Sequence, residues 1–182
     1  SDINPNAVRL AERNLALLCR RGAQAIDARA NRVNDANELR NLQQIYGYYV
    51  DEALWDQVAD LFTENGTMEI GFNGVYAGKA SIRKYLYSLT GGKPGLAHGE
   101  LNNHIQLSPV ITLSPDGQSA KGRWRALIQT GSFGKGSGGN WGEGIYENEY
   151  VREGGVWKIR KLHFFVKFYA PHEGGWTRGP KD

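Results

Sequence analysis

The sequence predicts an α+β protein whose sheet is mostly antiparallel. Three observations carry that prediction. Apolar residues at helical spacing are confined to the first half of the chain, up to about Leu89. Four long segments of strand character follow one another from about Leu101 onward. The turns joining them are of hairpin type, above all Glu153-Gly154-Gly155, where glycine supplies the positive φ of a tight β-turn. Helices first and consecutive strands afterwards argue against the βαβ alternation of a parallel sheet.

Asn4-Pro5-Asn6 reads as a helix start, with proline at a first-turn position, and Val8, Ala11, Leu15 and Leu18 continue at helical spacing. Gly22 is expected to interrupt this helix, leaving Ala23 to Val33 as a further helix or arm. Residues 1–34 therefore read as an N-terminal helical extension, and 35–182 as the main domain. Asp35 and Asn37 are candidate caps of a main helix reaching about Val50, with Leu39, Leu42, Ile45, Tyr46 and Tyr49 on one face. A short helix from Leu54 to Phe62 is expected to stop at Glu64-Asn65-Gly66. Thr67 to Phe72 reads as a strand, Asn73-Gly74 as a turn, and Ser81 to Leu89 as a third helix before a Gly-rich loop.

The strands are expected at Leu101–Leu113, Ala120–Gly131, Trp141–Arg152 and Val156–Tyr169, with Ser114-Pro115-Asp116-Gly117 as a turn. In the third of these, Tyr146, Asn148 and Tyr150 share one face and Glu147 and Glu149 the other. A sheet face carrying rings and an amide can line a ligand cavity. The Gly/Ser-rich segment from Gly131 to Gly139 reads as a loop that can cover such a cavity, and the tail after Pro171 as loosely held.

With 182 residues the chain has room for one sizeable core, and its 23% charged and 40% apolar residues are those of a soluble globular protein. A net charge of +3, with no basic stripe, argues against nucleic acid as a partner. No apolar run reaches membrane-spanning length and no signal peptide is visible. Cys19 is the single cysteine, which excludes an intrachain disulfide and suits a reducing, cytoplasmic compartment. The four histidines show neither HxH nor HExxH spacing, so no metal is expected. Ser137 and its Gly-rich surroundings lack the pattern of a phosphate loop.

The stretch from Tyr48 through Asp51, Trp55 and Phe62 to Gly66 resembles the helical signature of the nuclear transport factor 2-like superfamily, in its SnoaL-like branch. The helix start at Gly78-Lys79-Ala80-Ser81-Ile82 and the Gly144–Leu162 hairpin occur in the order found in that group. The likeness covers about residues 36 to 169. It implies a strongly curved sheet wrapped around helices as a cone, with an apolar cavity at one end, a few polar side chains in it, and no cofactor. Matched against scytalone dehydratase, the helix aspartate falls on Asp51, a pocket histidine on His104 and a pocket asparagine on Tyr146. The two water-holding tyrosines fall at about Val50 and Phe72, and the second histidine near Gln129, so the dehydratase mechanism itself is not implied.

Asp51, at the end of an aromatic helix, is a candidate general base whose pKa would rise if it were buried among rings. His104 points away from Ile105 and Leu107, and an imidazole there can take or give a proton near neutrality. Tyr146 is a candidate phenol at a pocket mouth, able to hold a substrate oxygen. Tyr46, Tyr49, Trp55, Phe72, Trp124 and Asn148 are candidate substrate-binding residues, whereas His98 and His163 read as structural or solvated. The implied activity is a cofactor-independent lyase on a hydroxylated aromatic small molecule. One candidate is release of formaldehyde from a lignin-derived diarylpropane diol to form a stilbene. Alternatives are a polyketide cyclase, a ketosteroid-type isomerase or dehydratase, and a binding module or dioxygenase small subunit. A homo-oligomer is expected, through the leading helix or the outer sheet face.

Overall fold

The computed structural model describes residues 5–132 and 138–172, with the side chains of 5–8 excepted. Of the proposed covering loop from Gly131 to Gly139, residues 133–137 with Ser137 lie outside the described residues, as do residues 173–182 of the tail after Pro171. The element order is α1 (Pro5–Asp51), α2 (Trp55–Asp60), β1 (Phe62–Ile70), a 3-10 turn (Gly71–Asn73), β2 (Gly74–Ala77), α3 (Lys79–Ser88), β3 (Glu100–Leu113), β4 (Ser119–Ser132), β5 (Gly139–Glu153) and β6 (Val156–His172). The contacts divide the chain into two compact units, residues 1–37 and 38–182.

Two expectations about the leading helix are corrected. Gly22 does not break it: α1 runs from Pro5 to Asp51. A glycine costs an exposed helix only about 1 kcal/mol relative to alanine, and the alanines at 23, 25, 28 and 30 favour helix on its C-terminal side. Asp35 and Asn37 accordingly lie within the helix and are not caps. In the second unit the buried stripe of α1 is Leu39, Gln43, Tyr46 and Val50, whereas Ile45 is 39% exposed. At 100° per residue these four cluster within a narrow arc, and Ile45 falls about 120° from Leu39.

Beyond α1 the expected short helix ends sooner. Phe62 is already in β1, because Glu64-Asn65-Gly66 makes an irregularity within that strand and not a helix stop. Gly66 suits this place, since a Cβ there would sit 3.2 Å from the Ile159 carbonyl oxygen. The six strands form one sheet in the order β2-β1-β6-β5-β4-β3, antiparallel except for the β1–β6 pair. Gly154 and Gly155 form the two-residue turn between β5 and β6 with φ of 58° and 85°, the geometry whose twist matches that of the flanking strands.

One face of the sheet is buried. It carries Ala120, Trp124, Ala126 and Ile128 from β4, Tyr146, Asn148 and Tyr150 from β5, and Ile159, Leu162 and Phe164 from β6. Glycines at 122, 142 and 144 share this face and let the large rings lie over the backbone. A Cβ on Gly122 would meet the Tyr150 ring at 2.8 Å, one on Gly142 would meet Tyr169 at 2.7 Å, and one on Gly144 would collide with Phe164. Gly144→Val should therefore destabilise the protein by about 1–3 kcal/mol through overpacking. Gly138→Ala, where nothing lies within 4 Å of the added carbon, should leave the melting temperature little changed; calorimetry of the two variants checks this.

Candidate active site

Asp51 is the last residue of α1, and the chain turns sharply behind it. Ala53 adopts a left-handed φ of 51°, and the Leu54 N–H closes the turn on the Tyr49 carbonyl at 2.8 Å. A non-glycine residue pays about 1–2 kcal/mol for that conformation. The turn leaves the Asp51 carboxylate at the helix C-terminus, where the helix dipole opposes a negative charge. Donors from β3 compensate. Oδ1 accepts the His104 backbone N–H at 2.7 Å and lies 3.0 Å from His104 Nδ1. The carboxylate is thus held by hydrogen bonds and is not sealed among rings, its side chain being 17% exposed and that of His104 15%.

His104 reaches this position because β3 presents Asn102, His104 and Gln106 to the helix side and Ile105 and Leu107 to the outside. Parity in the sequence gave the alternation, and the structure assigns the polar set to the inner face. All three polar side chains join β3 to α1. Asn102 Nδ2 donates to the Val50 carbonyl at 2.9 Å, and Gln106 Oε1 accepts from Gln43 Nε2 at 2.9 Å. Gln106 Nε2 also donates to the His104 carbonyl at 3.0 Å. With Nδ1–H donated to Asp51, the neutral imidazole keeps its lone pair on Nε2. That nitrogen makes no hydrogen bond among the described residues. The pair has the geometry of an oriented base.

Behind it lie two phenols. Tyr146 is 2% exposed, inside the domain and not at a mouth, because β5 is an interior strand of the sheet. Tyr46 and Gln106 are the side chains that bear most closely on its hydroxyl, and the two tyrosine rings meet edge to face at 5.8 Å. Burial pushes both phenols well above their ordinary pKa, with the neighbouring phenol adding to the effect on Tyr46. They are neutral donors and acceptors, not bases. Deeper still, Trp124 Nε1 donates to the Tyr150 hydroxyl at 3.0 Å, which donates to Gln43 Oε1 at 2.9 Å. Asn148 Nδ2 donates to the same Gln43 oxygen at 2.8 Å, while Asn148 Oδ1 is buried without a hydrogen-bond partner among the described residues.

The structure thus brings Asp51, His104, Tyr146 and Tyr46 into one neighbourhood, with Trp124 and Asn148 beneath it. Tyr49 is half-buried against the same core. Trp55 lies in the core but bonds Thr90 Oγ1 at 2.7 Å and shares no bond with the group. Phe72 is 98% exposed in the 3-10 turn. His98 is exposed, and His163 lies on the outer sheet face with Nε2 3.3 Å from Glu69. Sequence reasoning missed Gln43, Gln106 and Tyr85. The first two were detectable as amides on stripes otherwise read as pocket or core, Gln106 in phase with His104 and Gln43 in phase with Leu39 and Tyr46. Tyr85 on α3 stacks on Tyr76 at 3.8 Å, accepts from Asn73 Nδ2 at 3.0 Å, and bears electrostatically on Tyr46 and Tyr146.

Space inside the domain is largely taken by Tyr46, Tyr146, Trp124 and Phe164, all buried. An open cleft of about 840 Å³ lies elsewhere, between α2 and α3, lined by Asp56, Asp60, Lys79 and Arg83. Two of its cations are already paired, Arg83 to Asp56 at 2.6 Å and Lys79 to Glu64 at 2.7 Å. Among the described residues no three His, Cys, Asp or Glu side chains converge to share a metal ion. No helix among them is long and apolar enough to cross a membrane.

A curved α+β sheet packed on helices, with a carboxylate–imidazole pair where the main helix ends, defines a nuclear transport factor 2-like protein. More narrowly, the chain belongs to the SnoaL-like domain family, whose model matches residues 31–163. Solved structures share the fold. A putative scytalone dehydratase from Novosphingobium aromaticivorans superimposes with a TM-score of 0.67 at 15% identity, covering 78% of this chain and 90% of that one. The hexachlorocyclohexane dehydrochlorinase LinA-type3 from Novosphingobium barchaimii has a TM-score of 0.67 at 17% identity, with 79% and 94% covered. ActVI-ORFA from Streptomyces coelicolor has a TM-score of 0.61 at 17% identity, with 72% and 96% covered. A search of curated proteins gives no match.

The buried phenols give a pH prediction. Tyr46, Tyr146 and Tyr150 all have raised pKa values when folded, burial being the largest cause in each. Above about pH 10 the unfolded chain loses these protons and the folded chain keeps them, so stability is full below that pH and falls as pH rises. Each phenol contributes up to about 1.4 kcal/mol per pH unit. Thermal denaturation between pH 8 and 11.5 should show this decline, and Tyr150→Phe should make it shallower.

Proposed function

We propose that this protein is a cofactor-independent lyase in which His104 Nε2 is the general base. The observation that carries this reading is the contact of His104 Nδ1 with Asp51 Oδ1 at 3.0 Å, reinforced by the backbone N–H bond to the same oxygen at 2.7 Å. Together they set the tautomer and the ring orientation and stabilise the imidazolium once the proton is taken. Asp51 is then a positioning group, and the base is the histidine. Gln106 Nε2 holds the carbonyl of that histidine, and beside it Tyr146 and Tyr46 supply neutral hydroxyls for a substrate oxygen.

The substrate class is a hydroxylated aromatic small molecule. Tyr49 and Tyr85, both partly buried, supply the ring surface for it, and the side chains of His104 and Asp51 keep a small exposed area, 15% and 17%, through which it reaches the pair. Within this class we favour loss of formaldehyde from a diarylpropane diol. His104 removes the proton of the primary hydroxyl, and the bond from its carbon to the ring-bearing carbon breaks to release formaldehyde. The electron pair forms the new double bond toward the phenol-bearing ring as the benzylic hydroxyl departs. That hydroxyl takes the proton from the imidazolium and leaves as water. Diol gives stilbene, formaldehyde and water, with no change that calls for an oxidant or reductant.

The test is incubation of the pure protein, without added cofactor, with hydroxylated diaryl diols and polyketide-like phenols. New ultraviolet conjugation and released formaldehyde are followed. Turnover of a diaryl diol is expected, with His104→Ala lowering kcat by about 10²–10⁴-fold, the usual worth of a general base. Asp51→Asn should lower kcat at least about tenfold by releasing the imidazole orientation. Turnover that survives both changes would remove the assignment, as would conjugation without formaldehyde for the particular reaction.

A further inference from the structure

The row of the sheet that holds His104 ends, on its far side, in an aromatic ring. His104 on β3 pairs with Ile128 on β4, Ile128 with Gly142 on β5, and Gly142 with Tyr169 on β6. A β-carbon on Gly142 would stand 2.7 Å from Tyr169 Cδ2, 3.3 Å from its Cε2 and 3.4 Å from Ile128 Cβ. The Tyr169 ring therefore lies over the bare backbone of β5, on the inner face with Ile128. Alternation along β6 does not foretell this, because Leu162 and Phe164 already occupy that face at even positions. The register shift between Glu143 and Gly144 brings an odd position to the same side.

The ring is held at both ends. Its backbone belongs to β6, and its hydroxyl is hydrogen-bonded to Thr130 Oγ1 on β4, so the side chain bridges β5. Tyr169 is nonetheless 53% exposed. A tyrosine that open to solvent ordinarily turns about its side-chain bonds, whereas the tie to Thr130 and the glycine beneath fix this one. A ring already fixed in place binds a second ring at little further cost in entropy.

We propose that Tyr169, laid on Gly142 and tied to Thr130, is the stacking surface for a second aromatic ring of the substrate, so that the site selects two-ring molecules over one-ring ones. This deepens, and rests on, the reading of the site as one for hydroxylated aromatic molecules. The spacing supports it. His104 and Tyr169 stand three strand spacings apart, about 14 Å between backbones, and only Ile128 and Gly142 lie between them in the row. A molecule with one ring, held at the imidazole, does not reach Tyr169. A molecule whose two rings are joined by a short carbon link does. Gly142 contributes by what it lacks, since a side chain there would lift the tyrosine ring off the sheet and into the path of the second ring. Paired aromatic rings in offset or edge-on contact are worth up to about tenfold in affinity beyond their buried area.

The experiment measures binding to the full-length protein and so does not depend on turnover. The two-ring probe is para,para′-dihydroxystilbene, followed by its own fluorescence, and the one-ring probe is para-ethylphenol, followed by titration calorimetry. Tyr169→Ala should weaken the two-ring probe about tenfold or more and change the one-ring probe by less than about twofold. Tyr169→Phe, which keeps the ring, should hold the two-ring probe within about threefold of the native protein. Gly142→Ala, which displaces the ring without removing it, should act like Tyr169→Ala. Circular dichroism confirms that the variants are folded. The same pattern should persist when His104→Ala is added, because the second ring is bound away from the base. Equal affinity of the native protein and Tyr169→Ala for the two-ring probe overturns the subsite and leaves the role of His104 standing. An equal loss for both probes also overturns it. If the native protein binds neither probe, the aromatic reading of the site falls, and the subsite with it.

Discussion

The seam between the end of α1 and strand β3 is the constraint on which the rest depends. β3 is an edge strand, and an edge exposes backbone groups that must be paired or covered. Here part of that edge is met by the helix. The Asp51 carboxylate takes the His104 N–H, Asn102 reaches the Val50 carbonyl, and Gln44 Nε2 donates to the Gln106 carbonyl at 3.4 Å. The close approach needs Gly47, where a Cβ would lie 3.1 Å from the Gln106 side chain and 3.3 Å from the His104 carbonyl oxygen. The bonds that close the edge also orient the imidazole, so the geometry of the candidate site and the stability of this end share one cause.

A second consequence follows from the amides inside. Gln43 is fully buried, and its oxygen accepts from both Asn148 and Tyr150 while its nitrogen donates to Gln106. Trp124 can only donate, so the chain of bonds has a direction from the floor toward His104. Buried polar networks of this kind are costly when incomplete. Replacing one amide by an aliphatic group strands its partners, which ties the position of His104 to residues far from it in sequence.

Much of the fold was legible because its signals are local. The four strands from β3 to β6 begin and end within a few residues of where alternation and turn chemistry place them, and the two-glycine turn after Glu153 sets the β5–β6 register. The errors fell where a local signal met a tertiary one. Gly22 looks like a break but is tolerated in an exposed helix, and Glu64-Asn65-Gly66 looks like a helix stop but bends a strand whose neighbour is β6. Ile45 is apolar and yet lies outside, because the helix turns its buried arc to Gln43.

By itself the sequence determined the class of fold, the order of its elements and the pairing of Asp51 and His104 as candidates, since periodicity, turns and a family-like signature are properties of contiguous residues. Only the tertiary structure decided which face of β3 is inner and that the carboxylate bonds the imidazole. It also placed Tyr146 inside and Phe72 outside, and it revealed Gln43 and Gln106 as the link between the Tyr150 phenol and the backbone of His104. Those are contacts between residues dozens of positions apart. No spacing along the chain encodes them, because they arise from how a curved sheet closes on its helix.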